Sequence, residues 1–148
     1  MIPNQLIQAM IDKPMPAFHY HGQVLAVYKK GLVAADLTDA GLKLVAPMVA
    51  NFSLVPIGFL VVVNSAAITG LTDLRISTTA STPVDVLTIA QANLTSGSKH
   101  DPQGANSVLG AGFLAPGAAG GGLILRKTGG AAAGAFTLDV MVTFALRG

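Results

Sequence analysis

The architecture is written most plainly in the stretch Gly120-Gly-Gly-Leu-Ile-Leu-Arg-Lys-Thr-Gly129-Gly-Ala-Ala-Ala-Gly-Ala-Phe136-Thr-Leu-Asp-Val-Met-Val-Thr-Phe144. Phe136, Leu138, Val140, Val142 and Phe144 fall on one side of its last segment, and Thr137, Asp139, Met141 and Thr143 on the other. A period of two is the pattern of a strand with one buried face. The Gly and Ala between the two apolar runs suit a tight reversal or a close backbone approach. The stretch therefore reads as a hairpin or a return from one sheet to another, and the chain before it must supply a second β layer.

Composition agrees. All seven acidic residues are Asp, Glu is absent, and eleven Thr accompany many Val, a mixture that favours pleated sheet over surface helix. At 148 residues the chain suits one domain. Its hydrophobic content of 51% comes largely from Ala, Gly-flanked aliphatics and Val. The most apolar window, Leu54–Ile68, is broken by Pro56, Gly58, Asn64 and Ser65, so it falls short of the ~20 apolar residues a spanning helix needs. The opening Met-Ile-Pro-Asn-Gln lacks the basic and apolar regions of a secretory signal, and no membrane partner is expected. Without cysteine, disulfides and thiolate metal sites are excluded. Charged residues are only 11% and net charge is +2, with Lys29-Lys30 and Arg126-Lys127 as the largest basic clusters. With no Trp and two Tyr, the chain lacks the basic stripe and stacking aromatics of a nucleic-acid binder. So little charge points instead to a surface covered by other subunits.

Outward from the closing stretch, residues 1–21 read as an arm and residues 22–148 as the β domain. Within the arm Leu6, Ile7, Met10 and Ile11 form one short apolar helical face, ended by Lys13-Pro14-Met15-Pro16. Strands are expected at Gln23–Lys30, Leu42–Val45 and Val49–Val55, with Pro56 at an edge or bulge. The unbroken run Phe59–Asn64 predicts a central strand buried on both sides. Ala66–Asp73 reads as a loop, and Leu74–Thr78 as a strand with Leu74 and Ile76 inward. Val84–Leu94 fits either a strand or a helical turn. Thr95–Ser107 is the most polar segment and reads as a long exposed loop, with a further strand candidate at Val108–Leu114. About eight short strands separated by turns predict an all-β jelly-roll β-sandwich.

The chemical motifs are weak. Ser96-Gly-Ser-Lys99 and Lys127-Thr-Gly129 match two short elements of penicillin-binding enzymes, but Gly97 sits where a helix would have to run and no Ser-Asp-Asn follows. His19-Tyr-His21 has a spacing that suits a metal, yet a third ligand would have to come from His100 or a distant Asp. We read these histidines as ordinary surface or interface residues. Asp36, Asp39, Asp73 and Asp101 read as turn caps, since no Asp-x-Asp-x-Asp-Gly spacing is present. The Gly117–Gly122 run precedes strand-like Leu-Ile-Leu and not a helix N-terminus, so it reads as a packing element and not a phosphate cradle. No catalytic residue, metal or cofactor is expected, and the chain is read as non-enzymatic.

Three segments carry a family resemblance. Phe59-Leu-Val-Val-Val-Asn-Ser-Ala-Ala-Ile-Thr-Gly-Leu-Thr-Asp-Leu-Arg-Ile-Ser77 is similar to the central strand, loop and strand of jelly-roll proteins on tailed-bacteriophage virions. Val86–Gly97 is similar to the segment that follows in them, and Thr128–Phe144 resembles their closing strand. The resemblance implies a head decoration (cement) protein: a structural virion subunit on the capsid surface, synthesised in the host cytoplasm, partnered by the major capsid protein and often a homotrimer. The same fold serves in fibres and tails, so the alternative is a receptor- or glycan-binding module. The late loops offer no Tyr as a sugar platform. For docking on capsid or sister subunit we single out Ile2, Leu6, Ile7, Met10 and Ile11 of the arm.

Overall fold

The computed structural model describes residues 24–47 and 51–148. Nine strands carry nearly all of its regular structure: β1 (Val24–Leu32), β2 (Leu42–Val45), β3 (Ser53–Asn64), β4 (Thr69–Thr78), β5 (Asp85–Ala90), β6 (Lys99–His100), β7 (Val108–Leu109), β8 (Leu123–Ala133) and β9 (Thr137–Arg147). They form a four-stranded sheet of order β1-β9-β3-β6 and a five-stranded sheet of order β2-β8-β4-β5-β7, and every pairing is antiparallel.

The order follows from nesting. β1 pairs with β9, β2 with β8, β3 with β6, and β4 with β5, as if one long hairpin had been wound into a sandwich. The pairs β3·β9 and β4·β8 then close each sheet. With the two-residue β7 set aside as an addition to one edge, this is the jelly roll, two interlocked Greek keys. The closing stretch of the sequence is a sheet-to-sheet return and not a hairpin, because β8 and β9 lie in different sheets.

Alternation decides which side chains meet between the sheets. From β9 come Leu138, Val140, Val142, Phe144 and Leu146, from β3 Phe59, Val61 and Val63, from β4 Leu74 and Ile76, and from β8 Leu123 and Leu125, all buried. The expected inward positions of Leu74, Ile76 and the Phe136–Phe144 row are thus observed. Pro56 sits at a register shift between Pro56 and Gly58, as the sequence required. Its stretch of β3 lies beyond the reach of β6, which pairs only at Val61 and Val62, so no ladder is broken.

Several expectations need correction. Phe59–Asn64 is not buried on both sides: Phe59, Val61 and Val63 are buried, whereas Leu60, Val62 and Asn64 are half-exposed. The Ala66–Asp73 loop is shorter than expected, since β4 begins at Thr69. The ambiguous Val84–Leu94 divides into β5 and a 3-10 turn at Gln91–Asn93. Thr95–Ser107 is not uniformly exposed, because His100 in β6 is buried against β3. Val108–Leu114 shortens to β7, whose two residues are exposed. The arm, the two histidines His19 and His21, and part of the expected Val49–Val55 strand lie outside the described residues.

Candidate interaction surface

The two outer faces of the sandwich have opposite chemistry. On the five-stranded sheet, Asp73, Arg75 and Ser77 of β4 point outward and meet their neighbours on β5 and β8. Arg75 lies opposite both Arg126 and Thr88, and Ser77 opposite Ile124 and Asp85. Two arginines side by side would repel, but two aspartates interleave with them. Arg75 donates Nε to Asp73 Oδ1 at 2.7 Å and Nη2 to Asp73 Oδ2 at 2.8 Å, a bidentate fork, and donates Nη1 to Asp85 Oδ2 at 2.8 Å. Arg126 donates Nη2 to Asp85 Oδ1 at 2.9 Å and Nε to Ser77 Oγ at 2.9 Å. The hydroxyls of Thr128 and Ser77 donate to Asp73 and Asp85 respectively.

The charges titrate accordingly. The Arg75 hydrogen bonds hold the Asp73 carboxyl below its ordinary value, against the opposing pull of burial. Burial pushes Asp85 upward, but hydrogen bonds from Ser77 and Arg126 and the charge of Arg75 outweigh it, and its value is lowered. Arg75 is raised by its bonds to Asp73. Two cations and two anions cancel, so this face is polar, satisfied and close to neutral.

The outer face of the four-stranded sheet is built differently. Register places its outward side chains in rows that run across the strands. One row is Val24–Ala145–Val55, the next Ala26–Thr143–Gly58, and the third Tyr28–Met141–Leu60. Val24 is 50% and Tyr28 58% exposed, while Val55, Leu60, Met141 and Ala145 are half-exposed. The middle row is small by necessity: a Cβ on Gly58 would lie 2.6 Å from Thr143 Oγ1. Two apolar ridges therefore flank a shallow trough.

Charge enters this face at its ends: Arg147 lies opposite Ser53 beyond the first row, and at the far end Asp139 pairs with Val62 and Val62 with Lys99. Both Asp139 oxygens are engaged, one accepting from Gly31 N at 2.9 Å and the other from Asn64 Nδ2 at 3.1 Å. Asp139 thereby ties the β1 bulge near Gly31 to β3 across β9.

The motif residues have structural employment. Lys127 is buried near the middle of β8, where Nζ donates to Asp39 Oδ1 at 2.6 Å and to Gly129 O at 3.2 Å. Lys127-Thr-Gly is thus part of the β4–β8 ladder and, through Thr128, of the charge network. Asp36 and Asp101 cap turns as expected, accepting from Val33 N and Gln103 N. Asp39 and Asp73 instead make the ion pairs just described, Asp39 with the distant Lys127 and Asp73 with Arg75 two positions along its own strand.

His100 packs under the long loop with Nε2 at 3.1 Å from Ser98 Oγ. Burial lowers its pKa, with the Asn93 and Asn106 carbonyls pulling the other way without a well-formed hydrogen bond to Nδ1. A cleft lined by Leu54, Thr78, Ala80, Gly117, Gly121 and Leu123 has room for about one water molecule. Among the described residues no group of three or more His, Asp or Glu is gathered as a metal would require, and no helix is long and apolar enough to cross a membrane.

The docking residues singled out from sequence, Ile2, Leu6, Ile7, Met10 and Ile11, lie outside the described residues. Part of this sheet face is legible in sequence: the outward row Thr137, Asp139, Met141 and Thr143 carries one charge and suits another subunit as much as water, and Leu60 and Val62 are the half of the Phe59–Asn64 run that alternation does not explain. The chain matches no family model, no curated protein and no solved structure at a significant level.

Proposed function

We propose that the protein is a structural subunit of a virion shell, a decoration or cement protein that seats on the assembled head and stabilises it. The observation that carries this reading is the apolar outer face of the four-stranded sheet. Leu60, Val62, Met141, Tyr28, Val24 and Val55 present aliphatic and aromatic groups where a sheet facing water alternates to polar ones. The opposite face has that polar chemistry, so the apolar face is a local choice and not a general property of the chain. Its low charge content and the resemblance of Phe59–Ser77 and Thr128–Phe144 to phage jelly-roll segments support the same reading.

The mechanism is mass action. A subunit that binds only the assembled shell stabilises that state over its dissociated parts, and weak contacts repeated over a lattice add through avidity. The partners are the major capsid protein and sister copies in a homotrimer, with Ile2, Leu6, Ile7, Met10 and Ile11 of the arm as the leading contacts. Incubation with undecorated particles followed by imaging tests the reading. Full-length protein should decorate the particles, and a variant lacking residues 1–16 should stay folded by circular dichroism while losing at least tenfold in bound copies. Normal decoration by the truncated protein would remove the arm from the mechanism. Failure of the full-length protein to bind any shell would remove the capsid.

A further inference from the structure

We infer that residues 95–109 form a strap between the two sheets that opens in mild acid, with His100 as its proton-sensitive anchor. The inference concerns the subunit alone and does not rest on the capsid reading. Topology makes the strap. It carries β6, an edge strand of the four-stranded sheet, and β7, an edge strand of the five-stranded one, so a single segment runs from one layer to the other. Each of these strands has two residues and one neighbour, β6 on β3 and β7 on β5.

The hold of the strap on the body is slight. Besides the two short ladders, Gly97 N donates to Val63 O at 2.7 Å and Val63 N to Ser98 O at 3.0 Å. Asn93 Nδ2 reaches Asn106 O only at 3.4 Å. The bonds around Asp101 stay inside the strap: Gln103 N donates to Oδ1 at 3.0 Å, and Gly104 N and Ser107 Oγ to the main-chain O at 3.1 Å. Of residues 95–109, His100 alone is buried. A segment with one buried side chain belongs to the low-stability end from which local opening is drawn.

That side chain is badly placed to carry a charge. His100 lies opposite the fully buried Val61, so its ring enters between the sheets. Nε2 is 3.1 Å from Ser98 Oγ, and the buried Nδ1 has no hydrogen-bond partner. Few groups stand ready to receive a proton's charge. Asp101, the next residue, attracts it, but Asp101 Oδ1 already accepts from Gln103 N. Lys99 sits on the other face of β6, in the row of Val62 and Asp139. β3 brings the apolar Val61, and the 3-10 turn and the end of the strap bring the Asn93 and Asn106 carbonyls.

Burial outweighs these attractions and holds the imidazole below its ordinary 6.5. Opening returns the ring to water and restores the ordinary value. The open strap therefore takes up the proton first as pH falls. Closure is fully favoured above about pH 7.5 and weakens progressively below about pH 6.5, until the closed form's own value is reached. An open strap strips β6 from Val61 and Val62 and leaves that edge of β3 unpaired, where another strand can add.

Amide hydrogen exchange on the full chain, corrected for the intrinsic effect of pH, tests this at about pH 7.5 and about pH 5. The amides of Gly97 and Val63 report the strap, and Val140 in β9 reports the rest of the fold. Opening at Gly97 and Val63 should rise at least fivefold at the lower pH, with less than a twofold change at Val140. In His100→Phe, an apolar anchor without a titrating group, all three should change less than twofold. The chain has three histidines, so a variant carrying His19→Gln and His21→Gln should keep the full response. Equal opening at the two pH values in the native chain would overturn the inference. So would an equal rise at Val140, a response that survives in folded His100→Phe, or one that disappears with His19 and His21.

Discussion

Asp85 is the residue on which the polar face turns. One carboxylate accepts from Arg75, Arg126 and Ser77, and joins two cations that the register sets side by side. Asp85→Asn keeps the size but halves the acceptor capacity and removes the charge. We expect a loss of about 1–3 kcal/mol in urea unfolding, below the figure for a fully buried pair because the network is partly open to solvent. Acid should do the same to the native protein. Asp73 and Asp85 titrate below the ordinary 3.8 in the fold, so the unfolded chain takes up their protons first as pH falls. Their contribution is complete at about pH 5 and above and is lost progressively below about pH 4. Urea midpoints measured from pH 7 to pH 2.5 should fall in that range, and less steeply in Asp85→Asn. At this scale the sequence was a poor guide. Asp36 and Asp101 bond to residues two or three positions away and were readable as caps. Asp73 is held by Arg75 only two positions along the same strand, but Asp85 is bound by Arg75 and Arg126 through strand register, which no local pattern encodes.

Elements were more legible, wherever one face of a strand meets the core. The row Phe136–Phe144 and the pair Leu74 and Ile76 follow from period two alone, because burial of every second side chain leaves little else possible. Legibility fails where backbone geometry decides. β4 and β8 shift register around Leu71 and Asp73, opposite Gly129. Gly129 has a φ of +79°, and a Cβ there would press into the Thr72 side chain and lie 2.8 Å from its backbone N. The glycines of the closing stretch were readable as packing residues, but which one is indispensable was not. Gly129→Ala should cost about 2–4 kcal/mol, from left-handed strain together with the steric shift. Alanine at Gly97, also left-handed but with open space around it, should cost only about 1 kcal/mol. Thermal denaturation of the two variants side by side checks the difference.

The whole molecule has one wet face and one apolar face, and this polarity predicts how it should respond to salt. On the proposed reading, docking through the face of Leu60 and Met141 would bury aliphatic groups and few charges, so screening would have little to act on. Binding to undecorated particles should change less than threefold between 0.05 and 0.5 M sodium chloride, as measured by sedimentation. A loss of tenfold or more would show that charge, and not apolar burial, drives attachment. The sandwich class was legible from strand count and turn spacing. The difference between its two faces was not, because it depends on which strands become neighbours. Two traces of it were legible: the single charge in the outward row Thr137, Asp139, Met141 and Thr143, and the continuous Phe59–Val63 run, apolar on both sides of a strand that has just one core.

β9 lies in the middle of its sheet, between β1 and β3, although it is the last strand of the chain. During synthesis β1 and β3 therefore leave the ribosome with no partner between them, and the pair Val24↔Ala145 closes only once β9 has been made. The five-stranded sheet is in a similar position, since β8 must arrive before β2 and β4 can be joined. Before then β3 can pair only with the two residues of β6, and β4 with β5, so the joining of each sheet is a late event. A cell making many copies at once would depend on the speed of that event, and on whatever shields Phe59–Val63 until it occurs.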